Sequence, residues 1–307
     1  MKEVIINSND AGQRLDKFLV KYFGGSVPNS FIYKNIRKKR IKLNGKRAEN
    51  DTFLSEGDVL NLYINDSVFD EIPEFKTVSN LPLPTVVYED DNIIILNKPQ
   101  GVSVHDDGKG AENTLVNSLL AYLIDKGEYI PEKEQSFIPA FCNRIDRNTE
   151  GLVVAAKNAE SLREMKRIIK ERLVEKKYLA ICEGKIKEEK FTLSGYIVKN
   201  TKTKRSEFSD KKEENAKRAV SEFKVVSYMG NMTLVEVNLI TGRTHQIRAQ
   251  LGKIGHPLKA DRKYGGKGEG LYSLSAYKLT FSRLPKELKL SYLSGKIFTI
   301  EPSFKNR

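Results

Sequence analysis

Cys142-Asn143-Arg144-Ile145-Asp146-Arg147-Asn148-Thr149-Glu150-Gly151 runs straight into Leu152-Val153-Val154-Ala155-Ala156. A dense polar stretch thus feeds a short apolar run of the kind found in strands buried on both faces. A loop anchored to such a strand is a rigid mount for a site. Asp146 stands between Arg144 and Arg147, which favour its carboxylate form if they come close. The bland alternative is an ordinary structural ion pair. A second constellation is Thr241-Gly242-Arg243-Thr244-His245-Gln246-Ile247-Arg248, a glycine turn opening a helix. The free N–H groups there suit an anion. Arg248, on the first turns of that helix, is in position to pair with Asp146; an ordinary helix cap with surface arginines is the other reading.

Between and around these stretches the pattern is irregular. Strands are expected at Val86–Tyr88 and Ile93–Leu96, around the turn Glu89-Asp90-Asp91-Asn92, and again at 152–156 and Tyr178–Cys182. Asn113 or Thr114 starts a helix to about Ile124, and Asn158 caps one to about Arg172 with Leu162, Met165, Ile168 and Ile169 on one face. The polar stretch Lys199–Arg218 reads as a mobile hairpin or loop. Val220–Tyr228 and Met232–Ile240 alternate as strands. Thr244 is the expected cap of a helix from His245 to Lys253, ended by Gly255 and Pro257, and Leu271–Phe281 and Ile297–Ile300 are the last strands. Strands and helices mix without repeating βαβ units, so the class is α+β rather than doubly wound.

The first 65 residues read as a separate small module. Leu15, Phe18, Leu19 and Tyr22 have helical spacing, and Gly24-Gly25 stops that helix. Pro28-Asn29-Ser30 opens a second, with Ser30 as its cap, through Phe31, Ile32, Ile36 and Lys39. Ile41–Lys46 enters an Asn44-Gly45 turn, a strong hairpin signal, and Val59–Ile64 is a strand. Lys34, Arg37, Lys38, Lys39, Arg40, Lys42, Lys46 and Arg47 crowd residues 31–47, which hold no acid. A solvated helix face is usually of mixed sign; single-signed charge points to phosphate. Residues 66–84 turn acidic and proline-containing (Asp66, Asp70, Glu71, Glu74, Pro73, Pro82, Pro84) and read as a linker to a larger unit, 85–307.

The 307 residues suit about two domains. The net charge of +13 attracts polyanions, nucleic acid first and an anionic membrane second. Two cysteines, Cys142 and Cys182, exclude a disulfide scaffold and a zinc ribbon and suggest a reducing compartment. MKEVIINSND lacks an apolar core of signal-peptide length, and no apolar run spans a bilayer; a cytoplasmic protein is expected. There is no phosphate-binding G-x-x-x-x-G-K-[ST] loop and no G-x-S-x-G elbow. Gly265-Gly266-Lys267-Gly268-Glu269-Gly270 has the wrong spacing for a dinucleotide loop. His105, His245 and His256 match no metal motif, and the cysteines cannot build a deaminase zinc site. A metal-free, cofactor-free protein handling nucleic acid remains.

Asn143–Gly151 resembles the H-R-L-D-x-x-T-S-G motif of the RluA family of pseudouridine synthases. Lys177-Tyr178-Leu179-Ala180 is similar to its second motif. Gly242–Arg248, with Gly255-His256-Pro257 and Asp261 through Tyr264-Gly265, is similar to its third. Asn97-Lys98-Pro99-Gln100-Gly101, followed by His105, resembles the family's first strand motif. The N-terminal module resembles the alpha-L RNA-binding module of a small-subunit ribosomal protein. The resemblance covers nearly the whole chain, and it implies a mixed, mainly antiparallel catalytic sheet and a cofactor-free, metal-free isomerase acting on uridine in RNA. By the same resemblance Asp146 is the catalytic carboxylate, Tyr178 stacks on the uracil, Arg248 holds Asp146, and Leu279 walls the pocket. Arg144 fills the gap left by the flipped base; Arg243, His245 and Gln246 contact substrate; and Arg37, Lys38, Lys39, Arg40, Lys42, Lys46 and Arg47 bind RNA. Large-subunit ribosomal RNA is the implied partner, and a monomer is expected. Asn143 stands where the motif has His, Glu150 where it has Ser, and Ala260 where the third block has Gly; the last is expected to be a local packing change.

Two other classes fit the residues alone. A non-catalytic RNA-binding or ribosome-assembly factor needs only the basic module, and there Tyr178 would be a core strand tyrosine. A glycosidase or nucleosidase would use Asp146 with Glu150 as a carboxylate pair.

Overall fold

The computed structural model describes residues 1–70, 81–106, 113–200 and 205–304. The N-terminal unit holds β1 (Lys2–Ile5), α1 (Leu15–Tyr22), α2 (Asn29–Arg37), β2 (Ile41–Leu43), β3 (Lys46–Arg47), β4 (Val59–Leu62) and the short α3 (Ser67–Asp70). Its four strands pair in the order β1-β4-β2-β3. Leu15, Phe18 and Leu19 of α1 and Ile32 and Ile36 of α2 pack on Ile41, Leu60 and Leu62, all buried in one cluster. Asn44 and Gly45 take positive φ of 51° and 73°, as a two-residue hairpin between β2 and β3 requires. Pro28, rather than Ser30, caps α2, and Lys39 lies beyond its end in the left-handed region. β1 is an edge strand too short to register as a pattern. The expected linker falls partly on residues 71–80, outside those described.

The larger unit is built on β5 (Val86–Glu89), β6 (Ile93–Lys98), α4 (Leu115–Asp125), β7 (Ala140–Phe141), β8 (Glu150–Ala156), α5 (Ala159–Lys170), β9 (Val174–Glu183), β10 (Lys190–Asn200), β11 (Arg205–Ser209), β12 (Lys217–Met229), β13 (Met232–Leu239), α6 (Gln246–Lys253), β14 (Leu274–Phe281) and β15 (Ile297–Thr299). One sheet runs β11-β10-β12-β13-β9-β14-β8-β6-β5, with β15 on β14 and β7 on β8. Every pair is antiparallel except β8 with β14. Much of the polar Lys199–Arg218 stretch is sheet, since β10 and β11 pair from Tyr196–Ser209 to Asn200–Arg205; residues 201–204 lie outside those described.

Alternation along β6 and β8 explains their unbroken apolar runs. Ile93, Ile95, Leu152 and Val154 face a cluster with Met165 and Ile168 of α5. Ile94, Leu96, Val153 and Ala155 face the opposite cluster, with Leu115, Leu119 and Leu123 of α4. Both helices start where a side chain accepts an orphan N–H: Thr114 takes that of Asn117, and Asn158 that of Ser161. The other half of the sheet packs Tyr178, Val235 and Val237 against Ile247 and Leu251 of α6. Among the described residues no helix is long and apolar enough to cross a membrane.

The two units meet through polar groups. Ser136 donates to Asp10, Gln13 donates to Ser136 at 3.1 Å, Asn9 donates to Glu134 at 2.8 Å, and the N–H of Ala159 donates to the Asn9 amide oxygen at 3.0 Å.

Gly151, at the start of β8, has φ of 124°, and a Cβ there would lie 2.5 Å from the Ala276 carbonyl oxygen. The parallel crossing of β8 and β14 exists because that side chain is missing. Gly151→Ala is expected to cost about 3 kcal/mol or more, since the clash is with backbone and the conformation is unfavourable for an L-residue. Thermal unfolding of the purified variant measures this, and an unchanged melting temperature would refute it.

Candidate active site

The loop before β8, the turn before α6, the segment after β6 and the cavity-facing side of β9 enclose a cavity of about 660 Å³. Asp146, Arg144, Tyr178, Arg243, His245, Gln246 and Arg248 all line it. The three expected reacting residues therefore converge from β9, α6 and a loop, although Asp146 and Arg248 are 102 positions apart.

Arg248 organises the group. Its Nη1 donates to Asp146 Oδ2 at 3.0 Å, while Nε and Nη2 donate to the two carboxylate oxygens of Asp261 at 2.7 and 2.9 Å. The guanidinium lies 4.3 Å from the ring centroid of Tyr272 and 5.0 Å from that of Tyr264. Asp261 is 2% exposed, whereas the Asp146 side chain is 27% exposed. One carboxylate is thus sealed in as a support, and the other faces the cavity. A planar fork with fixed donors suits this double task better than a lysine.

His245 Nε2 is 3.7 Å from Asp146, and its Nδ1 and the Tyr264 hydroxyl are 2.8 Å apart. Burial holds its pKa below the ordinary histidine value, against the pull of Asp146 and with the push of Arg248. The positive partner of Asp146 is therefore Arg248. His245, not Thr244, occupies the N-cap of α6, with φ of 53° in the left-handed region. The turn is closed instead by Gln246, whose amide oxygen accepts from Thr241 Oγ1 and the N–H of Arg243 and whose amide nitrogen donates to Val220 O and Ser221 Oγ. With all those bonds spent inside the protein, Gln246 orders the turn and has little left to offer a substrate. Arg243 sits exposed at the rim, its Nε donating to the Arg218 carbonyl. Arg144 is exposed at the rim as well.

Tyr178 is 6% exposed, and burial together with the nearby Asp146 raises its pKa well above the ordinary tyrosine value. It stays a neutral ring. Leu279 lies apart from the cavity lining, 2% exposed in the cluster with Phe281 and Val174. The apolar wall is formed by Ile145, Leu239, Ile247 and Leu274 instead.

The Asp146 loop is pinned from behind. Lys98 is fully buried, and its ammonium donates to the carbonyls of Pro99, Val102 and Arg147 at 2.9, 2.9 and 3.0 Å. Burial pushes its pKa down to about 7, while the three carbonyls are the acceptors its protonated form needs. Gln100 Nε2 donates to the carbonyls of Asn148 and Tyr272, and Thr149 Oγ1 and the Tyr272 hydroxyl are 3.3 Å apart.

The departures from the motif are placed by their partners. Asn143 bridges to β8, donating to the Leu152 carbonyl and accepting from the N–H of Val154. Glu150 accepts from the N–H of Ser303 and is absent from the cavity lining, so it forms no catalytic pair with Asp146 there. Ala260 holds φ of 65°, so its replacement of glycine is backbone strain rather than a packing change. The basic residues Arg37, Lys38, Lys39, Arg40, Lys46 and Arg47 are exposed on the N-terminal unit, outside the cavity lining; Lys42 is half-buried, its Nζ 5.2 Å from the Tyr63 ring centroid. Among the described residues no group of three or more His, Cys, Asp or Glu side chains is gathered to hold a metal.

Asp261 was not singled out for a role by sequence reasoning, although it lies in the third block; only the turn after α6 brings it behind Arg248. Asp261→Asn leaves the buried guanidinium short of a charge, and the expected loss is about 3 kcal/mol. Chemical denaturation of the purified variant checks this, and wild-type stability would show that Asp146 alone compensates Arg248.

Residues 92–253 match the family model described as RNA pseudouridylate synthase. An uncharacterized RNA pseudouridine synthase of Mycoplasma capricolum is 36% identical over the whole of both chains. The ribosomal large subunit pseudouridine synthase C of Haemophilus ducreyi is 32% identical over 85% of this chain and 78% of its own. In fold, human RNA pseudouridylate synthase domain containing 4 superposes with a TM-score of 0.56 at 21% identity, over 71% of this chain and 89% of that one. Together with the cleft of Asp146, Tyr178 and Arg248, these similarities show that the chain belongs to the RNA pseudouridine synthases, isomerases that convert uridine to pseudouridine.

Proposed function

We propose that this enzyme isomerises specific uridines of large-subunit ribosomal RNA, with Asp146 as its essential carboxylate. The observation that carries the reading is the shared guanidinium: Arg248 holds an accessible Asp146 in place while Asp261 backs it from the protein side. The large-subunit target is supported by relatives of about one-third identity that bear that name.

The target uridine leaves its stack, because the sugar–base bond is inaccessible inside a helix, and Arg144 at the rim fills the space it vacates. Uracil lies against the neutral ring of Tyr178. The N1–C1′ bond breaks, the base turns, and a C5–C1′ bond forms; the proton lost from C5 is balanced by one gained at N1. Asp146 supplies negative charge where the sugar carbon becomes electron-poor, and its fixed geometry lowers the cost of reorganisation. The enzyme works as a cytoplasmic monomer, without metal or cofactor. Residues 1–65 act as an alpha-L-type RNA-binding module, tethered by 66–84 to the catalytic unit 85–307. Its exposed Arg37, Lys38, Lys39, Arg40, Lys46 and Arg47, with Lys42, hold phosphates.

Pseudouridine mapping of ribosomal RNA from a deletion strain tests the reading. Sites lost on deletion are expected to return with the wild-type gene and to stay absent with Asp146→Asn. Full restoration by that variant would remove Asp146 from the chemistry. In vitro, Asp261→Asn is expected to lower kcat about 100-fold through misalignment alone, with RNA affinity preserved.

A further inference from the structure

Among the described cations lining the cavity, Arg144 and Arg243 are exposed at the rim, whereas Lys176 is half-buried and has no counter-charge from the protein. Lys176 lies two residues before Tyr178 on β9, on the same face and about 7 Å along the strand. Both residues line the cavity. The Lys176 Nζ reaches across to the turn before α6, where a Cβ built on Gly242 would be 4.0 Å away.

Its neighbours show how unusual this is. Lys177, on the opposite face of the same strand, pairs with Glu236 at 3.1 Å. Arg248 has two carboxylates, Lys98 three carbonyls, and Arg147 donates to the Gly101 carbonyl. Lys176 has no hydrogen-bond acceptor and no carboxylate within ion-pair distance among the described residues. Burial lowers its pKa, with no nearby charge acting on it. An ammonium that is partly desolvated and unpaired costs stability. An anionic group of the substrate would supply the missing charge. Uracil and ribose are neutral; the anionic group that every internal uridine carries is its phosphodiester.

We propose that Lys176 binds a backbone phosphodiester flanking the flipped uridine, fixing the nucleotide's sugar while its base lies against Tyr178. This rests on the reading of the site as the place of uridine isomerisation. The spacing fits, because Tyr178 and Lys176 are separated along β9 by roughly the distance from a base to its own backbone phosphate. The phosphate would lie between β9 and the turn at Gly242, a position with space for it because residue 242 has no side chain.

The test uses the full chain and a short synthetic RNA carrying a uridine that the wild-type enzyme modifies. Lys176→Met is expected to raise KM by about 10–100-fold, the loss of one charged contact, with kcat changed far less. The slope of log KM against log salt should flatten by about 0.7, one single-strand phosphate contact, and Lys176→Arg should recover most of the affinity. Replacing the phosphodiester on one side of the uridine by a neutral methylphosphonate is expected to impair the wild type by a similar factor and Lys176→Met no further. In the absence of RNA the Met variant should melt at or above the wild-type temperature. A wild-type KM and salt slope in Lys176→Met would overturn the inference, and so would additive losses on both methylphosphonate RNAs. A fall in melting temperature with kcat and KM decaying together would make Lys176 a structural residue. If the wild type forms no pseudouridine in any uridine-containing RNA supplied, the reading of function fails, and this inference with it.

Discussion

The site depends on one guanidinium shared between two carboxylates of different exposure. Arg248 spends two donors on the sealed Asp261 and one on the accessible Asp146, with its face on Tyr272. Asp261 keeps the buried cation from being a liability, and the remaining donor fixes the direction of the accessible Asp146 carboxylate. With a single acid, an arginine this buried would hold that acid as a structural ion pair. The second acid lets the first remain part of the cavity.

Around that array, the backbone is held by a second set of polar side chains. Lys98 gathers three carbonyls beneath the Asp146 loop, Gln100 ties the same loop to the segment before β14, and Gln246 closes the turn before α6. Each tie joins segments far apart in sequence, so the cavity is a property of the assembled sheet. The residues that do the joining are polar and buried, with their hydrogen bonds spent inside the protein. Gln246 lines the cavity and also closes the turn with its own hydrogen bonds.

Much of this was legible before the fold. The apolar run of β8 told of burial on both faces, the Asn44-Gly45 turn gave its hairpin, and Asn158 announced α5. Asp146 and Arg248 were read as a pair from their contexts. The support from Asp261 was not, because it depends on the chain returning behind α6 through two tight backbone turns, at Ala260 and Gly265, whose dihedral angles have no pattern in a sequence. Leu279 was given to the pocket by resemblance alone; in the structure β14 shifts register against β9 between Ser275 and Lys278, and the side chain lies in the cluster with Phe281 and Val174. The short edge strand β1 was hidden because it gives only Val4 to the core; the hairpin expected within 199–218 is present as β10–β11, whereas the alternation of Phe191, Leu193 and Ile197 along β10 went unread.

β8 is buried along its full length and lies between β6 and β14 in the middle of the sheet. The amides of such a strand exchange with solvent only when the whole domain opens. The Asp146 loop is welded to that strand through Asn143 and Gly151, so its order is as cooperative as the domain itself. The Asp146 carboxylate therefore has no private unfolding equilibrium. A destabilising change elsewhere in the sheet lowers the number of active molecules while leaving each folded one with an unaltered turnover.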